Sequence, residues 1–310
     1  MRYNRLGSTG LVVSEVGLGT SPLGGGMAAA YGHAVPREVA RVTARELLAT
    51  AVTFVDTSNE YSDGESERLL GEAIAERGGL PEGVVLATKV DPIGGWQPRE
   101  WTGARVRESV RESADRLGID HFPLLYLHDP DRLPFEVMTA PGGPVETLRA
   151  LRDEGVVDHV GLAMGDVDLA MRYLDLGGFD VVLNHNNYTL LDQGAEPLIA
   201  YAHRSGIAFV NAAPYASGVL ARPRARTARY RYGEVDETTR RRVSELERIC
   251  ADVGVPLRVA ALHFSLRDPR IASTIVGVSA PGRAERLVRD AETAMPPDLW
   301  EALGVGQPPA

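Results

Sequence analysis

The chain is short of cysteine, of long apolar runs and of any general excess of positive charge, and each shortage excludes something. One cysteine in 310 residues, Cys250, rules out an internal disulfide and any multi-cysteine zinc site. Its place in ELERICADVG reads as a buried helix thiol. No stretch approaches the apolar length that a membrane span requires, and no signal-peptide pattern opens the chain, so a cytoplasmic setting is expected. A formal net charge of -9 argues against nucleic acid or an anionic membrane as partner. No Pro/Gly/Ser-rich linker interrupts the pattern, which leads us to expect one domain over residues 1–310.

What is present is a rhythm. Apolar, β-branched runs at 13–20, 52–57, 84–90, 123–128, 159–164, 181–186, 207–214 and 273–279 read as strands. Amphipathic stretches at 37–51, 64–77, 104–118, 144–155 and 246–254 read as helices between them. In 104–118, Val106, Val110, Ala114 and Leu117 form one apolar stripe against Arg105, Glu108, Glu112 and Asp115. Continuous apolar strands alternating with helices imply an α/β fold with a parallel sheet covered by helices. Eight such units in a chain of this length fit a closed (β/α)8 TIM barrel better than an open sheet. The opening MRYNRLGSTGLVV reads as a β-hairpin, with Ser8, Thr9 and Gly10 at its turn, that caps the barrel bottom. Two connections, 129–143 and 215 to about 236, are long enough to be functional.

In such a barrel the reacting groups stand at the C-terminal tips of the strands. That rule selects Asp56 at the second tip, Tyr61 just beyond it, Lys89 at the third and His128 at the fourth. A tyrosine titrating near 10 is a poor proton donor at neutral pH, and a nearby cation favours its phenolate. Lys89 supplies a cation, Asp56 holds it in place, and His128 offers a hydrogen bond to a substrate oxygen. This set suits proton transfer at a carbonyl oxygen while a hydride moves at carbon, and it contains no hydride source, so a nicotinamide has to share the mouth. The GLGTSPLGGG run does not bind it in the Rossmann manner, because Gly17-x-Gly19-x-x-Pro22 has proline where the third glycine is needed.

The pieces GLGTSPL, FVDTSNEYSDGESERLLG, LATKV, SVRESADRLGIDHFPLLYLHD, LRALRDEGVVDHVGLAM, APYASGVLA and IVGVSAPGRAERL resemble, in this order, the successive signatures of the aldo-keto reductase superfamily. DTSNEYSDGESE, HDP, HNNYTLL and VNAAPYASGVLA are most similar to its aldose 1-dehydrogenase and fucose-dehydrogenase-like branch. The resemblance implies that Asp56, Tyr61, Lys89 and His128 are a catalytic tetrad with Tyr61 as proton relay, and that the cofactor is NADP(H) or NAD(H). It further implies cofactor contacts from Gly19, Thr20, Asp56, His185, Asn186, Tyr188, Pro214, Tyr215, Ser217, Gly218, Leu220, Gly277, Val278, Ser279 and Arg283. Tyr188 is expected to stack on the nicotinamide, and Pro281 to open a helix whose first N–H groups face an anion.

The chain departs from the family pattern in places. Gly277 stands where many members carry lysine for a 2'-phosphate, Leu287 where they carry asparagine, Ala163-Met164-Gly165 in place of a Ser-Asn pair, and His185 in place of glutamine. The basic run Arg222, Arg224, Arg226, Arg229 and Arg231 reads either as a flap over the cofactor phosphates or as a solvated loop. Tyr31, Trp96 and Asp129 are the expected substrate contacts, and Glu60, Asp129 and Asn186 suit a small polyhydroxy or carbonyl substrate. Two other readings remain open. His128-Asp129-Pro130-Asp131 suggests a metal-dependent barrel hydrolase, although the first strand ends in GLGT and offers no ligand. A non-catalytic, nicotinamide-binding regulatory barrel is the other.

Overall fold

The computed structural model describes residues 1–26, 34–92, 101–222, 229–230 and 233–308. Strands β1 (Tyr3–Arg5) and β2 (Val12–Ser14) pair antiparallel, Tyr3 opposite Ser14, and form the expected hairpin. The barrel consists of β3 (Val16–Gly19), β4 (Phe54–Asp56), β5 (Val85–Val90), β6 (Phe122–His128), β7 (Val157–Met164), β8 (Val181–His185), β9 (Ala208–Ala212) and, after the short hairpin β10 (Arg229–Tyr230) and β11 (Gly233–Glu234), β12 (Ile271–Gly277). These eight strands run parallel in chain order and close where β12 pairs with β3.

The run 13–20 is therefore two elements rather than one strand. Glu15 is the break: its backbone N–H donates to the Arg2 carbonyl at 2.9 Å, and its carboxylate accepts from the Arg2 backbone N–H and Nε at 2.8 and 2.7 Å. Its carbonyl accepts from Thr274 N–H at 2.9 Å, so pairing passes at this residue from the hairpin to the barrel. The reading 246–254 is likewise too short. That helix runs from Glu237 to Asp252, started by the Asp236 carboxylate, which accepts from Thr239 N–H at 2.7 Å. Its first turns, ETTRRR, are too polar to show a hydrophobic period.

Helices α1 (Arg37–Leu47), α2 (Glu65–Arg77) and α3 (Gly103–Leu117) follow the first three barrel strands, and the larger core lies between strands and helices. A second core fills the barrel, where Phe54, Leu124, Tyr126, Val181, Val210 and Ile275 meet Leu6 and Val13 of the hairpin. The hairpin thus closes the end opposite the strand tips.

Inside the barrel, Tyr126 is fully buried, and it has room because Gly161 faces it from β7. A Cβ at Gly161 would lie 2.4 Å from the Tyr126 ring, which the surrounding strands hold in place. Gly161→Ala is expected to destabilise the protein by about 1–3 kcal/mol through overpacking, read as a lower urea midpoint at unchanged slope. A wild-type midpoint would show that the barrel interior repacks freely.

Candidate active site

Three strand tips converge on one buried ion pair. Parallel register sets Asp56 of β4 opposite Ala87 of β5, and Lys89, two residues further on, points to the same side. Lys89 Nζ donates to both Asp56 oxygens at 2.7 and 2.8 Å and to the Thr57 carbonyl at 2.6 Å, which satisfies all three of its protons. Both side chains are buried. The loop after β4 returns Tyr61 above this pair, with Nζ 4.6 Å from the ring centroid. His128, the last residue of β6, meets the same ring edge-on, centroids 5.7 Å apart at 82°. The four sequence-expected catalytic residues are thus brought together.

Lys89 is also the only lysine in a chain with 33 Lys and Arg residues. A compact ammonium fits this pocket where a planar guanidinium would not, and that solitary lysine is a compositional signal for the site.

Behind His128 stands a network that the sequence reading did not include. His128 Nδ1 lies 2.6 Å from Asp91 Oδ1 and 3.2 Å from Ser58 Oγ, and Ser58 Oγ donates to Asp91 Oδ2 at 2.5 Å. Asp91 is fully buried. Burial opposes its charge, yet His128, the Ser58 hydroxyl and Arg132 outweigh burial and hold it below the usual carboxylate range. Burial likewise opposes the His128 imidazolium, but Asp91 and Asp129 outweigh it and lift the group above its ordinary 6.5. Arg132 bonds Glu60 and, at 3.0 Å, Asp129 Oδ2. Burial opposes the Asp129 charge as well, but His128, His185 and Arg132 outweigh it and hold the carboxyl far below the usual range. Glu60 is raised by burial and by Asp91.

Glu60, Asp91 and His128 place ligand-type atoms within 4.8 Å of one another. Asp91 and His128 already neutralise each other and Arg132 occupies Glu60, so protein charge does the work that a metal ion would do there. Asp91 was legible: it sits two residues past Lys89, on the same face of the emerging strand.

The cavity over these groups has a volume of about 1080 Å³. Gly19, Asp56, His185, Asn186, Pro214, Tyr215, Ser217, Gly218, Gly277, Ser279 and Arg283 line it, as does Asp129. Tyr188 does not. Its hydroxyl donates to Asp268 at 2.8 Å, and its ring packs 4.9 Å from Phe264, which locks it in the layer under helix Leu257–Leu266. The expected stacking role of Tyr188 is therefore corrected to a packing role. Leu220 and Val278 are core residues, and the buried Thr20 hydroxyl donates to the Asp56 carbonyl at 3.1 Å, supporting the wall from behind. The substrate candidates Tyr31 and Trp96, with Arg224, Arg226 and Arg231, lie outside the described residues.

Pro281 also differs from expectation. The helix begins at Arg283 with Gly282 as its cap, and the Gly282 N–H is taken by Glu46 at 2.6 Å. Positive charge at this end comes instead from side chains. Arg283 donates to Ser279 Oγ at 2.6 Å, and burial, Arg222 and Arg286 together hold its pKa below the usual arginine value. No carboxylate among the described residues pairs with Arg283 or Arg222, an arrangement that fits a phosphate.

The signature of a known group of enzymes covers residues 15–303. The chain belongs to the aldo/keto reductase family. Among relatives of this aldo/keto reductase, pyridoxal 4-dehydrogenase of Microbacterium luteolum is 30% identical over 96% of this chain and 95% of its own. D-threo-aldose 1-dehydrogenase of a Pseudomonas species is 29% identical over 81% and 83%, and L-galactose dehydrogenase of Arabidopsis thaliana 29% over 91% and 86%. The holo form of aldo-keto reductase AKR11C1 from Bacillus halodurans shares the fold, with a TM-score of 0.79 over 98% of this chain and 95% of that one at 22% identity. The protein is accordingly an oxidoreductase.

The ion pair makes a stability prediction. Lys89→Met leaves a buried carboxylate without its partner and is expected to cost about 3–5 kcal/mol in urea unfolding. Adding Asp56→Asn should recover part of that loss, because no buried charge then remains unpaired. A double variant no more stable than Lys89→Met would contradict the pairing.

Proposed function

We propose that the protein is a nicotinamide-dependent dehydrogenase/reductase acting at the carbonyl or alcohol carbon of a small substrate, with an aldose oxidised at its anomeric carbon as the preferred class. The observation that carries this reading is Tyr61 stacked over the buried Lys89–Asp56 pair and edge-on to His128, in a cavity whose far end is the Arg222–Arg283 cation cluster. The residues fit a dinucleotide: Arg283, Ser279 and Arg222 would hold phosphate, and His185, Asn186 and Ser217 would take the amide end. NAD(H) or NADP(H), when bound, supplies or receives the hydride.

The chain's own residues handle the proton. Asp56 fixes Lys89, whose ammonium favours the negative charge that develops on Tyr61 as its proton leaves. Tyr61 gives that proton to the substrate oxygen in reduction and takes it back in oxidation. With Nδ1 engaged by Asp91, His128 presents Nε2 to the same oxygen. Asn186 and Asp129 in the wall suit the hydroxyls of a sugar. Two of the relatives are named for sugars, which supports an aldose; the 30% identical relative is named for pyridoxal, which supports an aldehyde on a larger ring as the second reading.

A panel of aldoses, pyridoxal and simple aldehydes with NAD(H) and NADP(H), followed at the nicotinamide absorbance, tests both readings. Turnover of aldoses is expected, and no turnover of any sugar or carbonyl would overturn the proposal. Tyr61→Phe should lower kcat by about 10²–10⁴-fold while cofactor affinity is retained. Arg283→Ala should do the reverse, weakening dinucleotide binding in calorimetry roughly tenfold to a hundredfold, because a charge-assisted contact is lost.

A further inference from the structure

His128 carries two ring nitrogens, and the protein leaves one of them little choice. Among the described residues, the two polar atoms within hydrogen-bond distance of Nδ1 are both acceptors. Asp91 Oδ1 stands at 2.6 Å as a carboxylate oxygen. Ser58 Oγ stands at 3.2 Å, but its single proton is given to Asp91 Oδ2 at 2.5 Å, so towards His128 it can only accept. The Glu60 backbone N–H also donates to Asp91 Oδ2, at 3.1 Å, and Asp91 N–H donates to Ser109 Oγ at 3.1 Å, so the carboxylate cannot turn away. Nδ1 therefore holds a proton in either charge state of the ring. A neutral imidazole has one proton, and here it is spent on Asp91, leaving Nε2 a bare lone pair.

We infer that Asp91 is a positioning residue that denies His128 the neutral Nε2–H form, so that His128 donates to a substrate oxygen only as the imidazolium and accepts from a substrate hydroxyl when neutral. Below its midpoint the ring supports reduction of a carbonyl. Above it, the ring supports oxidation of an alcohol, with Tyr61 still carrying the transferred proton. This rests on the function proposed above, since it needs a substrate oxygen beside Nε2. The other charges that face the ring act on the midpoint and not on the tautomer. Asp129 Oδ2, at 3.8 Å from Nε2, is beyond hydrogen-bond reach and is itself held by Arg132, while Oδ1 is faced by His185 Nε2 at 3.6 Å. Glu60 is tied to Arg132, and the Lys89 ammonium, near the ring, opposes its charge. With the midpoint lifted by Asp91 and Asp129 against burial and Lys89, the imidazolium form extends above the ordinary range.

The state of the ring can be read without turnover. Long-range nitrogen–proton NMR on the full chain, with His128→Gln to assign the signal, should show both nitrogens protonated below the midpoint and the Nδ1–H tautomer above it. Finding Nε2–H in the neutral ring would overturn the inference. In Asp91→Asn the amide can turn to donate to Nδ1, so the midpoint should fall and the Nε2–H tautomer should appear. Wild-type kcat/KM for reduction should drop about tenfold for each pH unit above the midpoint, and this limb should flatten in Asp91→Asn. An unchanged limb would also overturn it. Ser58→Ala, which leaves Asp91 in place, should keep the wild-type tautomer. If no substrate turns over, the proposed function fails while the NMR result still decides the tautomer.

Discussion

The buried ion pair of Lys89 and Asp56 is the constraint on which the rest of the active end depends. An ammonium without water needs all three protons satisfied and a counter-charge at contact distance. Asp56 supplies two oxygens and Thr57 a carbonyl, and all three come from the point where β4 leaves the sheet. That geometry holds only if β4 and β5 keep their register, because a slip of one residue would turn Lys89 to the helix side. The glycine in β7 that makes room for Tyr126, and the hairpin that closes the opposite end, keep the strands in the arrangement that the pair requires. The loop that carries Tyr61 pays for this placement in backbone strain. Ser62 and Asp63 follow it with left-handed φ of 54° and 55°, and Asp129, Asn186, Ala213 and Ser217 do the same elsewhere on the cavity wall.

The features that were legible in the sequence share a physical reason. Barrel strands are largely apolar and become polar as they emerge, so Asp56, Lys89 and His128 announce themselves as the first acidic or basic residues of three strands. Tyr61 was legible from the surrounding motif. What stayed hidden depends on directions that a linear pattern does not carry. Tyr188 and Asn186 are two residues apart in one polar run, yet Asn186 adopts a φ of 67° and lines the cavity while Tyr188 turns back beneath a helix to bond Asp268. Glu15 divides an apparently continuous strand because its carboxylate is fixed by Arg2, thirteen residues away. Arg132 lies within a long connection, where the short turn Pro130–Arg132 folds it onto Asp129 and Glu60, a direction that spacing alone does not carry.

The charges along the cavity are arranged unequally, and the inequality has a direction. At the catalytic end each cation has an anion: Lys89 with Asp56, His128 with Asp91, Arg132 with Glu60 and Asp129. A site balanced in this way offers little net attraction to an anion, while its internal fields stay strong because water is excluded. At the other end burial, Arg222 and Arg286 lower the Arg283 pKa, and among the described residues no carboxylate pairs with Arg283 or Arg222. Under the proposed function, a ligand with phosphates in the middle and a neutral or weakly charged reactive ring at one tip would be oriented by this inequality. Its anionic part would be drawn to the arginines, and its ring left for Tyr61 and His128.

The same arrangement places the groups around His128 and the arginines on different elements. Asp91, Ser58 and Glu60 act on His128 from behind the strand tips, and the phosphate-type site lies across the mouth on the elements that follow β9 and β12. Under the proposed function, changes in the first group would act on the imidazole that meets a substrate oxygen, and changes in the second on how tightly an anion is held. Tyr61 lies between the two ion pairs, with its ring over the cation that Asp56 holds and edge-on to His128. The position of its ring is thus set by two ion pairs at once, Lys89–Asp56 beneath it and His128–Asp91 beside it.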